Sequence, residues 1–117
     1  MTEVELKQRT KAFALSIIKL VGLLPSNLTT NAVARQIVRS GTSVAANYRA
    51  ACRGKSRVDF IAKLAVVEEE IDETLLWLEL MEEGGILPLS KTDPLKKEAN
   101  ELISIIVSSI KTARTNK

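Results

Sequence analysis

The feature that most limits the fold is how seldom this chain can break a helix. Glycine occurs at 22, 41, 54, 84 and 85 and proline at 25, 88 and 94, so long stretches of the 117 residues carry no breaker. Leu, Ile, Ala, Glu and Lys are plentiful between these points and aromatic residues are only 3% of the chain, a bias toward helix over strand. The expected class is all-α.

Apolar periodicity divides the chain into four helices. Thr2 and Glu5 make a capping box, after which Phe13, Ile17, Leu20 and Leu24 recur at helical spacing until Pro25, giving a first helix over about 3–24. PSNLTTN is a loop with Thr29 or Thr30 as the next cap, and a second helix runs over about 30–53. Its stripe is Ala34, Ile37, Val38, Gly41, Val44, Ala45, Tyr48 and Cys52, and Gly54 lies just past its end. Ser56 caps a third helix over about 57–83, with Phe60, Leu64, Val67, Ile71, Leu75 and Leu78 on one face and Gly84-Gly85 after it. Asp93 as cap and Pro94 as first helical residue open a fourth over about 94–115, lined by Leu95, Ala99, Leu102, Ile106, Ile110 and Ala113. Loops of about 3 to 10 residues favour antiparallel neighbours, so the expected architecture is an up-down-up-down four-helix bundle forming one domain over 1–117.

Composition narrows the function. With 45% hydrophobic and 26% charged residues the chain is a folded globular protein. Cys52 is the one cysteine, read as a small core filler in a reducing compartment, and there is no histidine, so the commonest acid–base catalyst and metal ligand is missing. Glutamates facing into a bundle can hold two metals, but they do so with Glu-x-x-His motifs this chain lacks. No phosphate loop, nucleophile elbow or CxxC pair occurs. The apolar run AFALSIIKLVGLL follows Lys7, Arg9 and Lys11, yet Lys19 interrupts it, no A-x-A site follows, and it is too short to span a bilayer. The expectation is a cytoplasmic protein with no enzymatic activity, cofactor, metal or membrane partner.

Two surface patterns remain. Arg35, Arg39, Arg49 and Arg53 share a strip of about 80° along roughly 27 Å of the second helix, and Lys55 and Arg57 extend it into the turn. Ala46 and Ala50 lie between the arginine pairs and leave the backbone open to close approach. The strip reads as a solvated basic face, an intersubunit salt-bridge seam, or a contact to the phosphates of RNA or DNA; the net charge of +3 permits the last without demanding it. Gly41 sits inside the apolar stripe, where it costs about 1 kcal/mol relative to Ala, which points to a close helix crossing.

The acidic third helix carries apolar residues on a second face: Ala62, Val66, Leu76, Trp77 and Leu80. In a monomer that face is expected to be exposed, which makes it a candidate oligomer interface. Glu70 and Glu73 flank Trp77, either available to arginines of a neighbouring chain or plain surface carboxylates.

With SVAANYRAACRGKSRVDFIAKL and EEIDETLLWLELM, the sequence resembles the bacterial four-helix bundle proteins that include those encoded in intervening sequences of 23S rRNA genes. Asn47, Tyr48, Arg49, Arg53, Ser56, Phe60, Glu70, Glu73, Thr74 and Trp77 match the pattern as signature positions. The resemblance implies a homopentameric ring or barrel. The accessory variability determinant of diversity-generating retroelements is a similar group, implying a basic pentamer that binds nucleic acid. The alternative is a scaffold or adaptor for a protein partner.

Overall fold

The computed structural model describes residues 1–116. They form four α-helices: α1 (Glu3–Val21), α2 (Leu28–Cys52), α3 (Arg57–Glu83) and α4 (Leu89–Thr115). Their ends are fixed by local chemistry. Thr2 and Glu5 satisfy each other's backbone donors in a reciprocal capping box, and the Ser56 hydroxyl accepts from the Asp59 amide at 3.0 Å. After α3, Gly85 adopts φ +75°, while the amides of Ile86 and Gly85 donate to Met81 and Glu82 at 2.8 and 3.1 Å. This is a Schellman closure, and the left-handed residue in it is one that only a glycine adopts cheaply.

Three boundaries differ from the sequence expectation. α1 ends at Val21 rather than near Leu24, because residues approaching Pro25 are biased away from the helical region; Leu23 and Leu24 close a tighter turn onto Leu20 and Val21. α2 begins earlier, with Asn27 as the cap accepting from the Thr30 amide at 2.9 Å, while Thr30 itself is buried. α4 starts at Leu89, so Pro94 lies inside the helix and Asp93 is not its cap. A proline that early removes one backbone bond, to the carbonyl of exposed Ser90, which water can satisfy. Asp93 instead pairs with Lys97 one turn on, at 3.0 Å.

The helices form a rod of 50 × 21 × 19 Å in which chain neighbours pack side by side: α1 on α2, α2 on α3, α3 on α4. The closing seam, α1 with α4, is thin. The expected stripes meet in one core, where Phe13, Ile17, Ile37, Val44, Leu64, Ile71, Leu78, Leu102 and Ile106 are fully buried. Polar groups inside it find partners: Thr10 donates to the Leu6 carbonyl at 2.9 Å, and the hydroxyls of Ser40 and Thr74 meet at 2.8 Å across α2 and α3. Two charged contacts support the edges. Arg9 makes a fork onto Glu98 (2.7 and 2.8 Å) and reaches Glu101 at 2.7 Å, stitching α1 to α4, and Lys96 pairs with Glu82 between α4 and α3.

Gly41 marks where α1 and α2 come closest. A β-carbon there would lie 3.0–3.2 Å from three carbons of fully buried Ile17. The helix therefore trades intrinsic propensity for a backbone approach that any larger residue would widen. Gly41→Val should lower unfolding stability by about 1–3 kcal/mol, measured as the shift in urea denaturation at unchanged slope.

Candidate nucleic-acid interface

The basic residues come from one helix and the turn after it. Arg35, Arg39, Arg49 and Arg53 project from α2 and its C-cap, Lys55 lies in the turn, and Arg57 is the first residue of α3; all six are exposed. Their surroundings differ along the rod. Arg39 pairs with Glu73 and stands 3.6 Å from Glu70, both on α3 of the same chain. The hydrogen bond to Glu73, followed by the nearby Glu70 charge, pushes the guanidinium pKa further up. Among the described residues, Arg35, Arg49, Arg53, Lys55 and Arg57 make no ion pair. The strip is thus paired at Arg39 and, among the described residues, free of ion pairs from Arg49 to Arg57.

Glu70 and Glu73, one sequence reading of which made them available to a neighbour's arginines, are approached within the protomer by Arg39, because α2 packs directly on α3. The second apolar face of α3 is also narrower than expected. Leu76 and Leu80 are exposed by 49% and 45% and Ala62 is exposed, but Val66 and Trp77 are half-buried. Trp77 packs against the core, with its Nε1 shielded from solvent and lacking a hydrogen-bond partner. The cause is the position of α3 between α2 and α4, which covers a wider arc of its surface than a helix with one neighbour would have covered.

The fold also brings together groups that a reading of α2 alone passes over. The start of α1, the end of α2, the start of α3 and the end of α4 surround one cleft, lined among others by Leu6, Tyr48, Phe60 and Ser108. Lys7 on α1 and Lys111 and Arg114 on the last turns of α4 therefore belong to the same end of the rod as Arg49, Arg53, Lys55 and Arg57. Opposite them, the α3–α4 turn is flanked by Glu79, Glu82, Glu83 and Asp93. The available signal was the expected up-down-up-down order, under which the first residues of α1 and the last of α4 share an end with the α2–α3 turn.

Two side chains near the cleft are chemically quiet. Burial pushes the Tyr48 phenol pKa up, and burial followed by a hydrogen bond to Glu3 pushes the Cys52 thiol up, so neither offers an anion near neutral pH. Among the described residues no group of three His, Cys, Asp or Glu is arranged to hold a metal ion, and no helix is long and apolar enough to cross a membrane.

Comparison with known proteins places this geometry. The model of a family described as 23S rRNA-intervening sequence protein matches residues 2–108. A solved structure of a protein of unknown function from the S23 ribosomal protein family of Bacteroides thetaiotaomicron is similar with a TM-score of 0.88 and 32% identity, covering 95% of this chain and 99% of that one. No curated protein matches the sequence.

The two arginine clusters should respond differently to truncation. Arg39→Ala, at an exposed site where the ion pairs are solvent-screened, should leave the urea midpoint within experimental scatter. Arg9→Met, which keeps the stem but removes a fork shielded between α1 and α4, should cost about 1–2 kcal/mol in the same measurement.

Proposed function

We propose that this chain, which belongs to the 23S rRNA-intervening sequence protein family, is a non-catalytic, oligomeric four-helix bundle that binds nucleic acid through phosphate contacts at one end of the rod. The observation that carries the reading is the run of exposed cations Arg49, Arg53, Lys55 and Arg57, none of them in an ion pair among the described residues. Cations held on a helix and its following turn present fixed charges to a polyanion, and binding them releases counterions. Arg35 adds to this set from further along α2. Arg39 contributes less, because Glu70 and Glu73 already compete for it. Contacts of this type position a duplex or strand without reading its sequence.

The protomer in this proposal is antiparallel, up-down-up-down, supported by the Glu82–Lys96 pair across the α3–α4 turn and by the convergence of four helix ends on one cleft. It assembles with copies of itself, a homopentamer by the family resemblance, in the cytoplasm. Leu76, Leu80 and Ala62 on the outer face of α3 support self-association, since adjacent exposed leucines rimmed by Glu69, Asp72 and Glu83 form an apolar patch that water solvates poorly. That same patch supports the second reading, a scaffold whose partner is another protein. The two readings part at the basic end, which only the first one uses.

Two measurements test the proposal. In titrations of labelled RNA and DNA at several salt concentrations, the wild type should bind with a steep salt dependence. The pair Arg49→Gln and Arg53→Gln should flatten the log–log slope by about 2, whereas Arg39→Gln should flatten it by less than 1. No binding at low salt would sink the nucleic-acid reading and leave the scaffold. In multi-angle light scattering at micromolar concentration, the wild type should run as an oligomer and Leu76→Glu with Leu80→Glu as a monomer; a monomeric wild type removes the self-association.

A further inference from the structure

The bundle is not closed all the way along its thin seam. Arg9 holds α1 against Glu98 and Glu101 on α4. Beyond that clamp, toward the start of α1 and the end of α4, the α4 residues at four-residue steps are Ser104, Ser108 and Thr112, side chains too short to fill the space to Leu6. What remains is an open cleft of about 840 Å³, within the size range of small-ligand sites. Its other walls are Tyr48 from α2 and Phe60 and Arg57 from the first turn of α3.

Three features of this cleft point to one kind of occupant. It gathers two of the four aromatic residues in the chain, and Phe60 is half-buried rather than sealed in the core. One wall is a row of hydroxyls, of which Ser108 and Thr112 donate no hydrogen bond within the protein among the described residues. Arg57 is unpaired at its edge and adjoins Lys55 and Arg53 in the turn. Of the two carboxylates that line the cleft, Glu101 is matched by Arg9 at 2.7 Å and Glu3 lies at the start of α1, on the wall away from the hydroxyl row of α4. A planar, partly apolar ring with polar edges and an attached anion satisfies all three walls, and a duplex presents no such group because its bases are stacked.

We infer that the cleft receives one unstacked nucleotide of a single-stranded nucleic acid, its base against Phe60, its polar edge on the Ser104–Ser108–Thr112 row and its phosphate on Arg57. This rests on the proposed phosphate-binding role and adds a preference to it. The basic end holds any polyanion, and the cleft selects a strand with a free base. A base gripped this way is stabilised by stacking, which is tolerant of sequence because every base has a π-face.

The test is fluorescence anisotropy with an unstructured twelve-nucleotide strand and with the duplex of the same strand, at one salt concentration. The wild type should bind the single strand about tenfold more tightly. Ser108→Trp, at an exposed position where the indole fills the cleft, should erase that preference and leave duplex affinity unchanged; Phe60→Leu, which keeps an apolar side chain against the core, should reduce it several-fold. A preference that survives both substitutions, or is missing in the wild type, overturns the inference while phosphate binding stands. Binding to neither probe removes the phosphate reading and this inference with it. A change in subunit number for Ser108→Trp in light scattering also overturns it, since the cleft would then be a contact between copies.

Discussion

Burial of α3 on two flanks governs most of what this molecule presents to solvent. Flanked by α2 and by α4, it contributes Leu64, Val67, Ile71, Leu78 and Met81 to the core with no measurable exposure, more fully buried residues than any other helix. Burying a side chain of this kind stabilises by about 1.5–3 kcal/mol, so α3 anchors both neighbours and the geometry of their facing side chains follows. Arg39 meets Glu70 and Glu73, and Ser40 meets Thr74, because α2 has nowhere else to lie. Trp77 is drawn partly inside by the same packing, and Leu76, Leu80 and Ala62, with Val58 nearer the start of the helix, are left exposed.

α1 stands in a different position. It packs closely on α2, where Gly41 admits Ile17, and lightly on α4, where a charged fork from Arg9 replaces much of the apolar contact. Replacing packing by a fork fixes one point of a seam rather than its length. Past that point α4 turns Ile106 and Ile110 into the core but presents Ser104, Ser108 and Thr112 toward the cleft, and the seam with α1 stays open. The cleft and the basic end are therefore neighbours: Arg57 lines the one and belongs to the other.

Charge is sorted along the rod in the same sense. The acidic residues of α3 are concentrated from Glu68 onward, where Glu70 and Glu73 pair with Arg39 and Glu82 pairs, across the turn, with Lys96. The end of α2 and the turn after it have Arg49, Arg53, Lys55 and Arg57, with Asp59 as the nearest carboxylate in the sequence. A modest net charge of +3 thus conceals an uneven distribution, with four cations clustered at the end of α2 and in the turn after it.

The four helices, the burial of Phe13, Ile17, Val44, Leu64, Ile71 and Ile106, the caps at Thr2 and Ser56, and the meaning of Gly41 were all legible in the chain. They depend on interactions within a few residues or on a periodicity of 3.6, both of which a linear sequence records. Pro94 misled because proline marks a helix start only when nothing upstream extends the helix, and here burial of Thr92 holds an extra turn. The partner of Arg39, the cover over Trp77 and the cleft beneath Phe60 were decided by tertiary structure alone. Each is a meeting of side chains from different helices, set by which flank of α3 each neighbour occupies and how closely α1 and α4 approach, quantities that no spacing within a single helix encodes.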